Sequence, residues 1–205
     1  MGTTTKVLLR ILFVGALVFM PAQAGIITFD SHPNDFGTPI VDSGFSFAIS
    51  ASGWGVFSPT SGACCNVNYN GTPALFADGD SIGPASVLMT KVGGGVFSVS
   101  ALDASAYWNG ASGQIDVIGE ISGGGTVTTT LTVGSTWASF TLGSFNNLVS
   151  LTFQDTASGG FLSAPGLGLD NINTSTGSVP EPGSWALITA GLLVLGKFAR
   201  LRRVG

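Results

Sequence analysis

Charged residues are scarce in this sequence, and positive charge is nearly absent from its middle. Only 9% of the 205 residues are charged, and Lys91 is the one basic residue between Gly25 and Val179. The same stretch contains ten acidic residues, which against one lysine give a formal charge of −9. Nucleic acids and anionic membranes bind proteins through clustered Lys and Arg. The composition therefore excludes both as partners of this part of the chain.

Histidine and cysteine are equally scarce. His32 is the only histidine, which excludes the usual histidine-based zinc sites, and Cys64 and Cys65 are adjacent, so no CxxC pair exists. Neighbouring Cα atoms lie ~3.8 Å apart, below the usual disulfide range of ~4.4–6.8 Å, so a bond between these cysteines would be strained. Three states remain open: a strained vicinal disulfide, which we rank first, intermolecular bridges, or buried free thiols.

Long apolar runs are also absent, and the two shorter runs lie at the ends of the chain. The first 24 residues contain Lys6 and Arg10, an apolar run over residues 11–20, and then Ala22 and Ala24. This run is too short to span a bilayer core of ~30 Å at ~1.5 Å per residue. The two alanines suit the pocket of a signal peptidase. Residues 1–24 are therefore predicted to be a secretory signal peptide, which signal peptidase removes after Ala24.

The C-terminal end divides into a linker and three further parts. Residues 174–179 are small and mostly polar, and the prolines of Pro180-Glu181-Pro182 remove backbone donors and hold the chain extended. An apolar segment at about residues 185–199 follows, and as a helix it reaches roughly 22 Å, which is short for a permanent membrane span. The chain then closes with basic residues, as suits the cytoplasmic side of a membrane. These residues are Arg200, Arg202 and Arg203.

This order of parts resembles the PEP-CTERM sorting signal, which occurs on proteins of bacteria that make exopolysaccharide. In that family an exosortase, a membrane enzyme similar to a cysteine transpeptidase, cuts near the Pro-Glu-Pro and releases or transfers the body to the exterior. The resemblance implies that residues 180–205 are the sorting signal and that an exosortase is the processing partner. It also implies transient residence in the inner membrane of a Gram-negative bacterium, followed by delivery to the cell surface or the extracellular matrix.

Between the two ends, residues 25–173 show the alternation of half-buried strands. A period of two places apolar side chains in a core and polar ones in water. Glycine-rich turns, among them residues 93–95 and 123–125, separate the strands. We predict one all-β domain, an antiparallel β-sandwich or jelly roll of about ten strands, with the C-terminal hydrophobic segment as the single helix. The predicted core-facing residues include Phe45, Phe47 and Ile49, then Val127, Leu131 and Val133, and Val149, Leu151 and Phe153.

The first and last segments of this body resemble the terminal strands of jelly-roll carbohydrate-binding modules. The segments are residues 25–30 (GIITFD) and 166–172 (GLGLDNI). In that family the final strand pairs beside the N-terminal one, which implies that Asp30 and Asp170 lie close together here. They would then share a structural Ca²⁺ with backbone carbonyls, because this ion favours hard oxygen ligands. In the alternative interpretation both are solvated residues at strand ends. No other cofactor is predicted.

Four aromatic residues, Trp54, Tyr107, Trp108 and Trp137, are candidates for stacking against sugars. Aromatic faces pack against the apolar C–H side of a pyranose, and an acidic body does not oppose a neutral glycan. Tyr107 and Trp108 directly precede the predicted Asn109-Gly110 turn, so of the four aromatic residues this pair is the best candidate for exposure. Trp54, Tyr107 and Trp108 are the predicted stacking residues. The alternative is that all four belong to the core.

Nothing in the sequence predicts catalysis. Residues 79–83 (GDSIG) match the G-x-S-x-G pattern and resemble the GDS block of one esterase family, but Ser81 would need a downstream histidine, and His32 lies upstream. We therefore predict a non-enzymatic, exported protein that acts in or on an exopolysaccharide matrix or biofilm and binds glycan. The alternatives are a secreted polysaccharide or ester hydrolase, and a purely structural surface protein without a ligand.

Overall fold

The described part of the chain consists of β-strands joined by turns and loops. The computed structural model describes residues 23–50, 55–58, 67–78, 84–108, 110–156 and 166–176. These residues form twelve strands, and none of them lies in a helix that could cross a membrane. The strands are β1 (Gln23–Ile27), β2 (Ile40–Asp42), β3 (Phe45–Ile49), β4 (Val56–Phe57), β5 (Ala74–Ala77), β6 (Ser86–Lys91), β7 (Ser98–Ser105), β8 (Gly113–Ile121), β9 (Thr126–Val133), β10 (Ala138–Thr141), β11 (Leu148–Asp155) and β12 (Leu167–Thr176).

Two six-stranded antiparallel sheets divide these strands between them. Sheet A has the order β10-β7-β12-β5-β4, with β1 also paired to β12, and sheet B has the order β2-β3-β6-β11-β8-β9. This confirms the all-β, two-sheet prediction. The strand count exceeds the expected ten because β2 and β4 have three and two residues, too few to show an alternating pattern in the sequence.

The main core lies between the facing sides of the two sheets. The alternation predicted for β3 and β9 is confirmed, since Phe45, Phe47 and Ile49 are buried in β3. In β9, Leu131 and Val133 are buried on either side of the exposed Thr132, and Val127 on the same face is half-buried. Lys91 is the only basic residue of the described part, and no charged side chain belongs to this core. Burial of apolar side chains therefore supplies most of the free energy that holds the sheets together.

The alternation predicted for β11 is wrong at its first position. Val149 is 43% exposed, whereas Leu148 and Ser150 are buried. The pairing of β11 with β8 shifts register between Leu148 and Ser150, so a β-bulge reverses the direction of the side chains there. Beyond the bulge Leu151 and Phe153 face the core as predicted.

The two ends of the described chain pair with each other. β1 runs antiparallel to the second half of β12, with Ile27 opposite Ile172, and β5 pairs with the first half of β12, with Leu75 opposite Leu169. Asp170 and Asn171 therefore lie where β12 exchanges one neighbour for the other. The pairing of the terminal strands is the one implied by the jelly-roll resemblance. Cleavage after Ala24 would leave Gly25–Ile27 in β1.

Residues Gln23–Gly177 form one compact unit. The predicted signal peptide up to Ala22 and the predicted sorting signal lie outside the described residues, as do the predicted positions Trp54, Cys64, Cys65 and Ser81.

Candidate functional site

A second apolar cluster lies on the outer face of sheet A, away from the main core. Side chains alternate along β5, so Leu75 and Ala77 join the main core while Ala74 and Phe76 point to the outer face. We call this cluster the aromatic patch. Its buried members are Phe57, Val67, Ala74, Phe76 and Tyr107, and the half-buried residues packed on it are Tyr69, Trp108 and Trp137.

Phe76 is at the centre of the aromatic patch. Its ring centroid lies 5.6 Å from that of Tyr107, 5.8 Å from Phe57, 6.0 Å from Trp137 and 6.2 Å from Tyr69. All four pairs are edge-to-face, with interplanar angles between 61° and 84°. This geometry favours the contact of the positive ring edge with the negative ring face, at about 0.5–1.5 kcal/mol per pair beyond area burial.

Two further rings extend the aromatic patch at its sides. Trp108 packs on Tyr107 with centroids 4.6 Å apart, and Phe36 packs on Phe57 at 5.1 Å. Phe36 is 57% exposed, and Tyr69, Trp108 and Trp137 are half-buried. Solvent therefore reaches the rim of the aromatic patch but not its centre.

A glycine on β12 makes room for the central ring. A Cβ at Gly168 would lie 2.8 Å from Phe76 Cε1 and 2.9 Å from Ser105 Oγ, both closer than real Cβ contacts. Because Gly168 has no side chain, the Phe76 ring can lie across β12 rather than stand clear of it. Gly168 thus determines how closely the aromatic patch packs on sheet A.

The segment containing Asn68 lies across the aromatic patch and is fixed by backbone contacts. Trp137 Nε1 donates a hydrogen bond to the carbonyl of Asn68 (2.7 Å), and the Asn68 N–H donates to the carbonyl of Tyr107 (3.0 Å). Val67 forms an isolated β-bridge with Trp108. Three members of the patch therefore hold this segment in place, and Trp137 is oriented by its own N–H.

Two buried polar groups in this segment are left without partners. Asn68 Nδ2 and Tyr69 Oη are inaccessible to water and make no hydrogen bond to the residues that the structure describes. A buried donor without a partner costs ~1–3 kcal/mol. The cost of desolvating these groups is already met in the folded protein, so a ligand hydroxyl would gain from bonding to either of them once the residues that cover it move.

A strip of polar side chains borders the aromatic patch on the same face of sheet A. Asp170 is fully buried, and its Oδ2 accepts hydrogen bonds from Asn70 Nδ2 (2.6 Å) and Thr72 Oγ1 (3.0 Å). Its Oδ1 accepts the backbone N–H of Asn171 (2.8 Å). Asn70 and Thr72 lie just before β5. They fill the space beside Asp170 that opens where β12 changes its pairing from β5 to β1.

Asp103 lies directly opposite Asp170 on the neighbouring strand β7. It accepts hydrogen bonds from Asn171 Nδ2 (2.8 Å) and from the Ser139 hydroxyl. The carboxylates of Asp103 and Asp170 thus accept hydrogen bonds from different donor atoms. Asp170 is buried and both of its oxygens are occupied, so the pair does not present an acid and a base to a substrate.

Burial raises the pKa of Asp170 above the ordinary aspartate value. Hydrogen bonds from Asn70, Asn171 and Thr72 oppose this shift, and the negative charge of Asp30 adds to it. The shared Ca²⁺ of Asp30 and Asp170 stays a prediction.

The surroundings of Asp170 bear on the Ca²⁺ prediction. Asn70 Oδ1 accepts the Thr72 N–H, which turns the amide nitrogen of Asn70, a donor, toward Asp170. Within the described residues no group of three or more His, Cys, Asp or Glu side chains could hold a metal ion. An ion at this place would use Asp30, one oxygen of Asp170 and backbone carbonyls, and Ca²⁺ binding stays a prediction.

Two further buried carboxylates, Asp78 and Asp155, lie together at Gly166. Asp155 Oδ2 accepts the Gly166 N–H (3.0 Å), and a Cβ on Gly166 would lie 3.3 Å from Asp78 Oδ1. Their burial is nearly complete, at 1% and 0% exposure. This pair could not be predicted from the sequence, because alternation within a strand does not show that two distant segments converge on a glycine.

The structure corrects the expected exposure of one predicted stacking residue, Tyr107. Tyr107 is fully buried within the aromatic patch and has no face for a sugar, because the segment at Asn68 and the ring of Trp108 lie over it. Trp108 is half-buried at the rim, and Trp54 lies outside the described residues. Tyr69, Phe36 and Asn68 were not among the predicted residues.

His32 contacts carboxylates through both ring nitrogens. Its Nδ1 lies 3.2 Å from Asp35 Oδ2 and its Nε2 lies 3.7 Å from Asp42 Oδ2. The neighbouring Ser31 hydroxyl donates to the same Asp42 oxygen (3.3 Å) rather than to the imidazole. Both ring nitrogens of His32 thus face carboxylates, and Ser81 lies outside the described residues.

Taken together, the chain is an antiparallel β-sandwich with an aromatic outer face and a C-terminal sorting motif. Residues 178–203 match the PEP-CTERM protein-sorting motif. A comparison with curated proteins gave no match.

Solved structures similar to this chain include carbohydrate-binding modules. The family 29 module CBM29-2 is 14% identical, with a TM-score of 0.46 over 77% of this chain and 88% of that one. CBM29_1 from Piromyces equi is 14% identical, with a TM-score of 0.39 over 79% and 95%. An agarase, AgWH50C, is 14% identical, with a TM-score of 0.40 over 73% of this chain and 25% of the enzyme.

Proposed function

We propose that this protein is exported, sorted by an exosortase to the cell surface or extracellular matrix, and binds neutral glycan through the aromatic patch. The observation that carries the binding proposal is the rim of half-buried rings around two buried polar groups that have no hydrogen-bond partner among the described residues. Tyr69 and Trp137 supply the rings, and Asn68 Nδ2 and Tyr69 Oη are the polar groups.

The chemistry of this site suits a sugar. A pyranose has apolar C–H faces that pack on aromatic rings and hydroxyls that accept and donate hydrogen bonds at its edge. Ligand sites typically combine an apolar lining with a few fixed polar groups. The patch offers both within one segment, from Val67 to Tyr69.

The negative charge of the stretch between the two ends limits which class of glycan the protein can bind. The stretch from Gly25 to Val179 carries ten acidic residues and one lysine, and Asp103 and Asp170 lie on the same outer face as the aromatic patch. An anionic polysaccharide would be repelled by this surface. A neutral polysaccharide, such as a component of the producing bacterium's own matrix, is the ligand class that we propose.

The sorting proposal is supported by the matched motif at residues 178–203, which ends with the arginine cluster. Its test is the intact mass of the protein recovered from outside the producing cells. We expect a chain that begins at Gly25 and ends near Pro182. A recovered chain that still carries Arg203 would contradict removal of the tail.

A polysaccharide pull-down tests the binding proposal and separates it from the hydrolase and structural alternatives. The full chain is mixed with immobilised neutral polysaccharides (glucomannan, galactan, dextran and the producer's own exopolysaccharide) and with acidic alginate. We expect retention on at least one neutral polymer, none on alginate and no release of reducing sugar. Turnover that disappears in Ser81→Ala would favour the hydrolase, and no retention on any polymer would favour the structural protein.

A further inference from the structure

The free edge of sheet B formed by β9 differs from the other sheet edges. β9 is eight residues long and pairs with β8 in one unbroken register from Thr126–Glu120 to Val133–Gly113. On its other side the structure places no strand, and no residue of β9 makes a backbone hydrogen bond outside its pairing with β8 among the described residues. The outward N–H and C=O groups of β9 therefore have no backbone partner in the part of the chain that the structure describes.

The other sheet edges are short. β2 has three residues and directly follows Pro39, β4 has two residues, β10 has four, and β1, which pairs only with β12, has five. Short edges, prolines, charges and bulges are the usual means by which proteins prevent edge-to-edge pairing. β9 has none of them, since its sequence TVTTTLTV contains only β-branched residues and one leucine.

The absence of charge on β9 points to a second copy of the same chain as its partner. Two copies of this acidic body repel each other over most of their surfaces, because the described part contains one lysine against many carboxylates. β9 carries no charge. Two carboxylates of the neighbouring strand β8 lie opposite it: Asp116, which accepts the Thr130 hydroxyl (2.6 Å), and Glu120, which is opposite Thr126 and accepts the Ser150 hydroxyl (2.9 Å). This edge is thus a place where two copies can approach with little repulsion.

The side-chain pattern of β9 is complementary to itself. Thr126, Thr128, Thr130 and Thr132 are exposed on the outer face, while Val127 and Thr129 on the inner face are only half-buried. In an antiparallel pair the residues opposite each other share a face. A two-fold axis at Thr130 places each half-buried Val127 opposite the second copy's Val133, so pairing would cover apolar surface that one copy leaves partly open.

We propose that two copies of this chain pair antiparallel through β9, with the two-fold axis near Thr130, to form one continuous twelve-stranded sheet. A single strand pair is smaller than the ~1,200 Å² typical of stable interfaces, so the association is weak, with a dissociation constant on the order of micromolar or above. Such pairing would link two glycan sites on sheets A, but it does not depend on glycan binding.

Sedimentation velocity of the full chain in density-matched detergent solution tests this pairing. Wild type is expected to show a concentration-dependent dimer. Thr128→Lys with Thr132→Lys places like charges opposite each other across the pair and is expected to raise the dissociation constant by at least about tenfold. Both side chains are exposed, so the fold should not change.

Two controls test whether the effect of the added charges depends on their position on β9. Val41→Lys with Ala48→Lys adds the same charge to exposed positions near the opposite edge of sheet B and should leave the dimer intact. Thr128→Glu with Thr132→Glu should be monomeric alone but form mixed dimers with the lysine variant. A monomeric wild type, or a dimer that the β9 charges do not alter, would overturn the proposal, since a dimer formed by any other segment would be indifferent to them.

Discussion

Phe76 lies across the bare backbone of Gly168, so that a Cβ on position 168 would come within 2.8 Å of the phenylalanine ring. This contact joins β5 to β12 on the outer face of sheet A. It fixes the ring around which Tyr69, Tyr107 and Trp137 are arranged. The glycine therefore controls the shape of the proposed glycan site without lying at its rim.

Gly168→Ala is expected to displace Phe76 and to destabilise the protein by about 1–3 kcal/mol, as overpacking of a filled site usually does. Glycan affinity should fall with it, because the rings at the rim move with Phe76. Urea unfolding and polysaccharide retention measure the two effects. Gly134→Ala is the matched control, since a Cβ there meets nothing within 4 Å. Equal stability of the two variants would show that the ring can move freely.

Asn68→Leu separates binding from stability. The substitution removes the buried Nδ2 that has no partner among the described residues and replaces it with an apolar group of similar size. We expect the free energy of unfolding to stay constant or rise, by up to about 3 kcal/mol, because the desolvation penalty is removed. Glycan binding should weaken by about tenfold, the equivalent of 1.4 kcal/mol. A destabilised Asn68→Leu protein would mean that the amide contributes to the fold.

The raised pKa of Asp170 predicts a defined pH dependence. The folded protein binds this proton more tightly than the unfolded chain, so the stabilisation is fully present below the ordinary aspartate pKa and is lost as pH rises through the raised value. Asp30→Asn removes one cause of the shift and should lower the pKa of Asp170. Carboxyl NMR titration of Asp170 in both proteins measures this. An unchanged pKa would show that Asp30 does not act on Asp170.

Calcium provides a separate test of the same pair. If Asp30 and Asp170 share an ion, CaCl₂ should raise the unfolding midpoint of wild type and have little effect on Asp30→Asn. The control is NaCl at equal ionic strength, because salt alone screens the repulsion between the two charges. A calcium effect that is the same in both proteins would place the ion elsewhere, and no effect would argue against it.

The fold class follows from the sequence because burial on one face imposes a period of two, as in β3 and β9. The pattern fails where the backbone departs from regular pairing. Val149 is exposed because of a bulge, and nothing in the sequence around it marks that bulge. Such bulges depend on how a strand pairs with its partner, so they cannot be predicted from the sequence of one strand alone.

The candidate site was only partly predictable for a related reason. Alternation along β5 could have predicted that Phe76 lies on an outer face. It could not have predicted that a distant segment covers Tyr107. The turn at Gly110 suggested exposure of Tyr107, whereas hydrogen bonds from a segment about 40 residues earlier in the chain bury it. The pairing of β1 with β12 was expected from resemblance and could not be derived from spacing.

Affinity electrophoresis tests the proposed glycan site most directly. Wild type, Trp137→Ala and Phe140→Ala are run through native gels with and without the neutral polysaccharide that retains the full chain. Phe140 is partly buried against the main core and serves as a control for the loss of a ring. We predict that the polysaccharide retards wild type and Phe140→Ala but not Trp137→Ala. Equal retardation of Trp137→Ala would contradict the assignment of glycan binding to the aromatic patch.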